Sequence, residues 1–123
     1  MKTDALILGG GASGLIAAGA LARAGRRVLV LEKNPRVGKK LLATGNGRCN
    51  FTNLRASATD YFGARALAEP ALCAFPPEAV AAYFETLGIN LRADAEGRAY
   101  PMSNQASSVL DALRLSLSEA GGE

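Results

Sequence analysis

The sequence has 123 residues, of which 49% are hydrophobic and 20% charged, a composition typical of one globular domain. The net charge is +3, and much of the basic excess lies between Arg23 and Arg55. Most aromatic residues fall on apolar helical stretches instead, so we expect them in the core and favour cations around an anionic cofactor over a nucleic-acid surface. The chain has no histidine and two cysteines without metal-ligand spacing, which disfavours a metal site.

The chain begins with a predicted buried strand over residues 3–8 and a predicted helix over residues 13–24. The turn between them carries G-x-G-x-x-G at Gly9, Gly11 and Gly14. The first glycine allows a sharp turn, the second a close approach of the main chain to a diphosphate, and the third tight packing of the helix on the sheet. The helix N-terminus would then face the phosphates.

The stretch from Ala5 to Ala22 is uncharged, so a membrane span or a signal peptide is an alternative interpretation. Three consecutive glycines make this stretch a poor helix in its first half, and no further apolar span follows. We therefore expect no membrane partner. Two free thiols without an export signal indicate the reducing cytoplasm.

The second predicted strand, residues 28–32, ends in the carboxylate of Glu32. An acidic residue at this position can accept hydrogen bonds from the ribose hydroxyls of a dinucleotide and would repel a 2′-phosphate. The glycine pattern alone is weak, because a glycine-rich turn also occurs in ordinary α/β proteins. The order of strand, turn, helix, strand and acid makes dinucleotide binding the favoured interpretation.

The remaining elements follow in chain order. A short helix over Val37–Ala43 precedes the polar, glycine-rich loop Thr44–Asn50. Loops of this kind in α/β domains usually contact a ligand or another part of the protein. The later elements are a helix over Asp60–Ala74 with a break at Pro70, a helix over Glu78–Leu87, a hairpin pairing Ile89–Arg92 with Arg98–Tyr100, and a helix over Ser107–Ala120. Cys73 lies among apolar helical residues and is predicted to be a packing residue.

Two parallel strands with crossover helices indicate an α/β fold whose sheet is incomplete. A doubly wound domain would continue from the last helix into a third parallel strand. We therefore expect residues 1–123 to be the N-terminal portion of a nucleotide-binding domain of a longer protein, and we expect marginal stability for this portion alone.

Several blocks of sequence resemble a bacterial family of NAD(P)/FAD-dependent oxidoreductases that contains aminoacetone-oxidase-like and BaiN-type flavoproteins. These blocks are Glu32-Lys33-Asn34, Gly38–Leu42, Thr44–Asn50 as T-G-N-G-R-C-N, Thr52-Asn53, Gly97–Ser103 and Ser107–Leu113. The resemblance runs through essentially the whole chain, and T-G-N-G-R-C-N is far more specific than the glycine turn. Tyr100 stands where relatives often have Phe.

The resemblance implies the first part of a Rossmann-like, glutathione-reductase-like FAD domain. It implies FAD as the cofactor, NAD(P)H or dioxygen as a redox partner, and a small-molecule substrate. The cofactor-binding residues that it implies are Gly9, Gly11, Ala12, Ser13, Gly14, Glu32, Lys33, Lys40, Thr44, Gly45, Asn46, Gly47, Arg48, Cys49 and Asn50. It assigns no catalytic residue.

Several alternatives stay open at this point. Arg48 either binds an anion or braces its loop, Asn46 and Asn50 either bond the flavin or close turns, and Cys49 is either a reactive thiol or, as we favour, a small buried residue. An NAD-dependent dehydrogenase half-domain would explain the glycines and Glu32 but not the second glycine loop. A nucleotide-binding module without chemistry is the other alternative.

Overall fold

The computed structural model describes residues 2–63 and 65–123, which divide into two compact units. The first unit runs up to Cys49 and resumes from Gln105 to Glu123, and the second is Asn50–Asn104. The elements in chain order are β1 (Ala5–Leu8), α1 (Ala12–Arg23), β2 (Val28–Leu31), α2 (Lys39–Ala43), β3 (Thr52–Asn53), α3 (Arg65–Ala74), α4 (Pro77–Thr86), β4 (Leu91–Ala93), β5 (Arg98–Pro101) and α5 (Ala106–Glu119).

The first unit contains a parallel pair, β1 with β2, in a register that aligns Ala5 with Val28 and Leu8 with Leu31. Helix α1 connects the two strands and packs against α5. The buried side chains of these two helices are small or branched apolar residues and include Leu15, Ala18, Ala22, Val109, Leu110 and Leu113. The predicted α/β fold with a small parallel sheet is confirmed, and the predicted last helix contributes Val109, Leu110, Leu113 and Leu117 to the core.

The edge of β2 opposite β1 carries one further backbone pair. Glu123 donates its N–H to the carbonyl of Val28 at 3.1 Å and accepts from the N–H of Val30 at 2.7 Å. This exchange with two alternate residues is the hydrogen-bond pattern of parallel strands. The chain therefore returns from α5 to the sheet in the direction of β2.

The second unit contains an antiparallel sheet of order β3-β5-β4. The predicted hairpin is confirmed, with Ala93 opposite Ala99 and the turn closed by Asp94, which binds the Arg98 guanidinium at 2.7 Å. Strand β3 has only two residues and gave no signal in the sequence. The Phe51 and Phe84 rings, 4.6 Å apart, contribute to packing between the start of this sheet and α4.

Three predictions for this unit were wrong. The helix predicted from Asp60 begins at Arg65, because Asp60 instead accepts the Ser57 N–H at 2.8 Å and closes a 3-10 turn; Ala64 lies outside the described residues. Pro70 lies inside α3 and does not end it. Neither Phe62, which is 96% exposed, nor Cys73 is a core residue, and α3 has no buried residue among those described.

Candidate nucleotide-binding site

The glycine turn after β1 has the geometry that its three glycines predict. Gly9 has a φ of +102°, a conformation that favours glycine, and its N–H donates to the Leu31 carbonyl at 2.7 Å. A Cβ on Gly14 would overlap the carbonyl oxygen of Gly9, so this position requires glycine for packing. A Cβ on Gly11 would meet no described atom within 4 Å, so this glycine faces open space.

Helix α1 begins at this turn with Gly11 as its N-cap. Among the described residues, no side chain caps this helix end, and its first turn from Ala12 to Leu15 carries no charge. The first N–H groups of a helix have no partner within the helix, and the helix dipole gives this end partial positive charge. Ser13 is exposed in the same turn. The arrangement can bind an anion such as a phosphate.

Glu32 follows β2 and is held by three N–H donors. Its Oε2 accepts the backbone N–H of Gly10 at 2.9 Å, and its Oε1 accepts the backbone N–H of Asn34 at 2.8 Å and the Asn34 Nδ2 at 2.5 Å. The backbone N–H groups of Asn34 and Gly10, then the Asn34 amide, lower the pKa of Glu32 below its usual range. The carboxylate is therefore ionised and fixed beside the glycine turn.

A cleft of about 770 Å³ opens where β1 and β2 end. The parallel pairing places the carboxyl ends of both strands at the same edge of the sheet, which is where α/β proteins bind ligands. The cleft is lined by Leu8, Gly9, Gly11, Leu31, Glu32, Lys33, Asn34, Gly38, Lys39 and Lys40. Its volume lies in the range of small-molecule sites, and it contains one carboxylate and three ammonium groups.

The cleft brings together five of the predicted site residues, namely Gly9, Gly11, Glu32, Lys33 and Lys40. Sequence reasoning missed Asn34, Gly38 and Lys39 as lining residues. Gly38 has a φ of +73° at the start of α2, and a Cβ there would overlap the Leu110 side chain. The helix predicted from Val37 begins only at Lys39, and a glycine within the first turn of that predicted helix was the available signal.

The loop from Thr44 to Cys49 is a separate feature of the first unit and does not line the cleft. It is a 3-10 turn with left-handed residues, and the positive φ angles occur at Gly45, Asn46, Gly47 and Cys49. Arg48 donates its Nε to the Gly45 carbonyl at 3.1 Å, which braces the loop. Thr44 donates its hydroxyl to the carbonyl of Leu41 at 2.6 Å.

Cys49 and Asn50 stand at the boundary of the two units. Cys49 is only 4% exposed, and burial raises the pKa of its thiol against the opposing effect of a hydrogen bond with Thr44. A buried thiol with a raised pKa is a poor nucleophile. Asn50 belongs to the second unit, where its Nδ2 donates to the carbonyls of Thr52 and Ala99, both at 3.1 Å.

Other clefts lie away from the glycine turn or beside it. In the second unit a cleft of about 540 Å³ lies against α3 and is lined mainly by apolar residues such as Phe51, Phe75 and Val80. In the first unit a cleft of about 350 Å³ includes Glu32 and Asn34 together with two arginines, Arg36 and Arg114.

Residues 2–63 and 65–123 hold no group of three or more acidic, histidine or cysteine side chains placed to bind a metal ion. Over the same residues, no helix has both the length and the apolar character that crossing a bilayer requires.

Known proteins match this chain at the level of family and fold. The profile of a family described as the HI0933-like protein Rossmann domain matches residues 3–123. The 3-dehydro-bile acid delta(4,6)-reductase of Clostridium scindens is 43% identical over 114 residues, which are 90% of this chain and 28% of that protein. The ribosomal RNA dihydrouridine synthase of Escherichia coli is 49% identical over 53 residues, 43% of this chain and 13% of that protein.

The fold also occurs in a solved structure. The crystal structure of Thermovibrio ammonificans THI4 matches with a TM-score of 0.63 at 21% identity, covering 98% of this chain and 36% of that one. At this identity the match describes the fold alone. The chain spans less than a third of the length of each curated relative named above. The family match confirms the resemblance seen in the sequence.

Proposed function

Because this chain belongs to the HI0933-like Rossmann domain family, we propose that it binds FAD and supplies the first part of the flavin site of an oxidoreductase. One observation carries the proposal. The open N-terminus of α1 at Gly11 and the fixed carboxylate of Glu32 lie at the same end of the parallel strands, on a cleft large enough for an adenine nucleotide.

The cleft residues fit the ADP half of the cofactor. The diphosphate would lie over Gly11, where a Cβ would meet no described atom within 4 Å and no described side chain caps the helix. A ribose hydroxyl would donate to Glu32, which is ionised. Lys33, Lys39 and Lys40 add positive charge along the same cleft, as an anionic ligand requires.

The loop from Thr44 to Asn50 is proposed to lie along the flavin half, as the resemblance implies. The backbone of this loop is fixed by internal interactions. Gly45 and Asn46 adopt left-handed conformations, and the Arg48 side chain donates a hydrogen bond to the Gly45 carbonyl. When bound, the flavin supplies hydride transfer, and the protein contributes binding and orientation. NAD(P)H is the proposed electron donor.

The reaction class is proposed from the relatives. Their names denote reduction of carbon–carbon double bonds, since dihydrouridine is uridine with its ring double bond reduced. We propose the same class of reaction for the whole protein, in the cytoplasm. A small molecule is the favoured substrate, because the bile acid reductase matches 90% of this chain. A uridine in RNA is the second candidate, supported by a match over 43% of the chain.

The absorption spectrum of the purified full chain tests the cofactor. We expect visible flavin absorption, and heat denaturation should release FAD into the supernatant. A colourless protein that binds NAD instead would favour the dehydrogenase half-domain. A protein that binds ADP but neither FAD nor NAD would favour a binding module without chemistry.

A further inference from the structure

We propose that Asn34 is a positioning residue for the nucleotide ribose and acts through the carboxylate of Glu32. The inference rests on the proposed function, because it concerns the ribose of the same nucleotide. Asn34 lines the cleft beside Glu32 and is itself half-buried. Its role would be to fix which carboxylate oxygen meets the ligand.

The hydrogen bonds of the carboxylate carry the argument. An ionised carboxylate has about four acceptor sites, two on each oxygen. Asn34 fills both sites on Oε1, at 2.8 Å from its backbone N–H and 2.5 Å from its Nδ2. Gly10 fills one site on Oε2 at 2.9 Å. The remaining acceptor site therefore lies on Oε2, the oxygen that accepts the hydrogen bond from the glycine turn.

The charges around Glu32 act in the same direction. Lys33, Lys39 and Lys40 line the main cleft, and Arg36 and Arg114 line the smaller cleft that also includes Glu32. Of these cations, Lys33 contributes to the lowered pKa of Glu32. The Asn34 side chain differs from them, because it alone among these groups orients the carboxylate through a direct side-chain hydrogen bond.

The test compares ADP with 2′,3′-dideoxy-ADP, which lacks both ribose hydroxyls and therefore cannot donate to the remaining acceptor site on Glu32. The wild-type full chain should bind ADP more tightly than the analogue. Asn34→Ala should weaken ADP binding about three- to tenfold while leaving affinity for the analogue within about twofold. The pH at which ADP affinity falls should also rise in the variant, since one hydrogen bond that favours the ionised form is lost.

A second variant and a matched control complete the design. Asn34→Asp keeps the size of the side chain but places a carboxylate beside Glu32, so the loss of ADP affinity should exceed that of the alanine variant. Asn53→Ala is the matched control, because Asn53 makes similar turn-closing hydrogen bonds in the second unit. Its Oδ1 accepts the backbone N–H of Arg55, and its Nδ2 donates to the Glu96 carbonyl. The affinity of this variant for ADP should match wild type.

The outcomes separate the two proposals. Equal losses for ADP and the analogue in Asn34→Ala, or no loss with either, would overturn the positioning role. A wild-type protein that binds neither nucleotide, or binds the two equally, would instead overturn the proposed function. A wild-type preference for ADP that disappears in Glu32→Gln but is undiminished in both Asn34 variants would retain the function and reject the role of Asn34.

Discussion

The carboxylate of Glu32 accepts the backbone N–H of Gly10 at 2.9 Å, across 22 positions of sequence. This hydrogen bond joins the residue that follows β2 to the turn that follows β1. The proposed ribose acceptor and the proposed diphosphate turn are thereby parts of one rigid arrangement. A substitution on either side should affect binding at both.

Glu32→Gln tests the carboxylate itself. Three N–H donors converge on Glu32, and an amide would direct its own NH₂ toward at least one of them. We expect affinity for FAD and ADP to fall by about tenfold or more. Isothermal titration measures it, with Glu85→Gln, an exposed glutamate on α4, as the control. Unchanged affinity in Glu32→Gln would remove this residue from the site.

Gly11→Ala and Gly14→Ala separate binding from folding. A Cβ on Gly11 meets no described atom, and its φ of −80° suits alanine, so stability should stay near wild type while nucleotide binding falls by about tenfold or more. A Cβ on Gly14 overlaps the backbone of Gly9, so this variant should lose about 1–3 kcal/mol in urea unfolding. Wild-type binding by a folded Gly11→Ala protein would contradict the proposed phosphate turn.

Gly38→Ala tests the contact between the start of α2 and α5. The substitution combines a φ of +73° with a clash on the Leu110 side chain, so we expect a loss of about 2–4 kcal/mol in thermal or urea unfolding. Gly25→Ala is the matched control, with a φ of +76° and no described atom near its Cβ, and should cost only about 1 kcal/mol. Equal losses would mean that the Leu110 contact contributes nothing.

The two cysteines should differ in reactivity. Cys73 is exposed, whereas Cys49 is buried and its burial raises the pKa of the thiol, which reduces the thiolate fraction at neutral pH. A thiol reagent such as DTNB should label Cys73 rapidly and Cys49 slowly in the native protein. Cys73→Ser should remove the rapid phase. A rapid phase that persists in this variant would show that Cys49 is accessible.

Asp4 should contribute to the pH dependence of the free energy of unfolding in acid. Its side-chain hydrogen bond with Arg27, with the ion pair at 2.8 Å, lowers the pKa of Asp4 to about 2. Because the folded pKa is depressed, this stabilisation is present at neutral pH and is lost as pH falls from about 3.8 to about 2. Asp4→Asn should remove that component from the pH profile of unfolding. A profile identical to wild type would contradict it.

Local patterns predicted much of the fold. The hairpin across Asp94 and the last helix appear within two residues of their predicted bounds, because turn residues and apolar periodicity act over short distances. Strand β3 was missed, since two residues carry no periodic signal and are held by pairing with β5. The exposure of Phe62 was missed because an aromatic residue indicates a core only when another element covers it.

The sequence by itself determined the family, the α/β class, and the need for glycine at Gly14, because these depend on motif spacing and on the missing Cβ. Only the tertiary structure decided that Asn34 and Gly10 hold the Glu32 carboxylate and that the Thr44 loop does not line the cleft. The reason is physical. Hydrogen bonds and cavities arise where distant segments converge, and that convergence is fixed by strand register and helix packing rather than by local sequence.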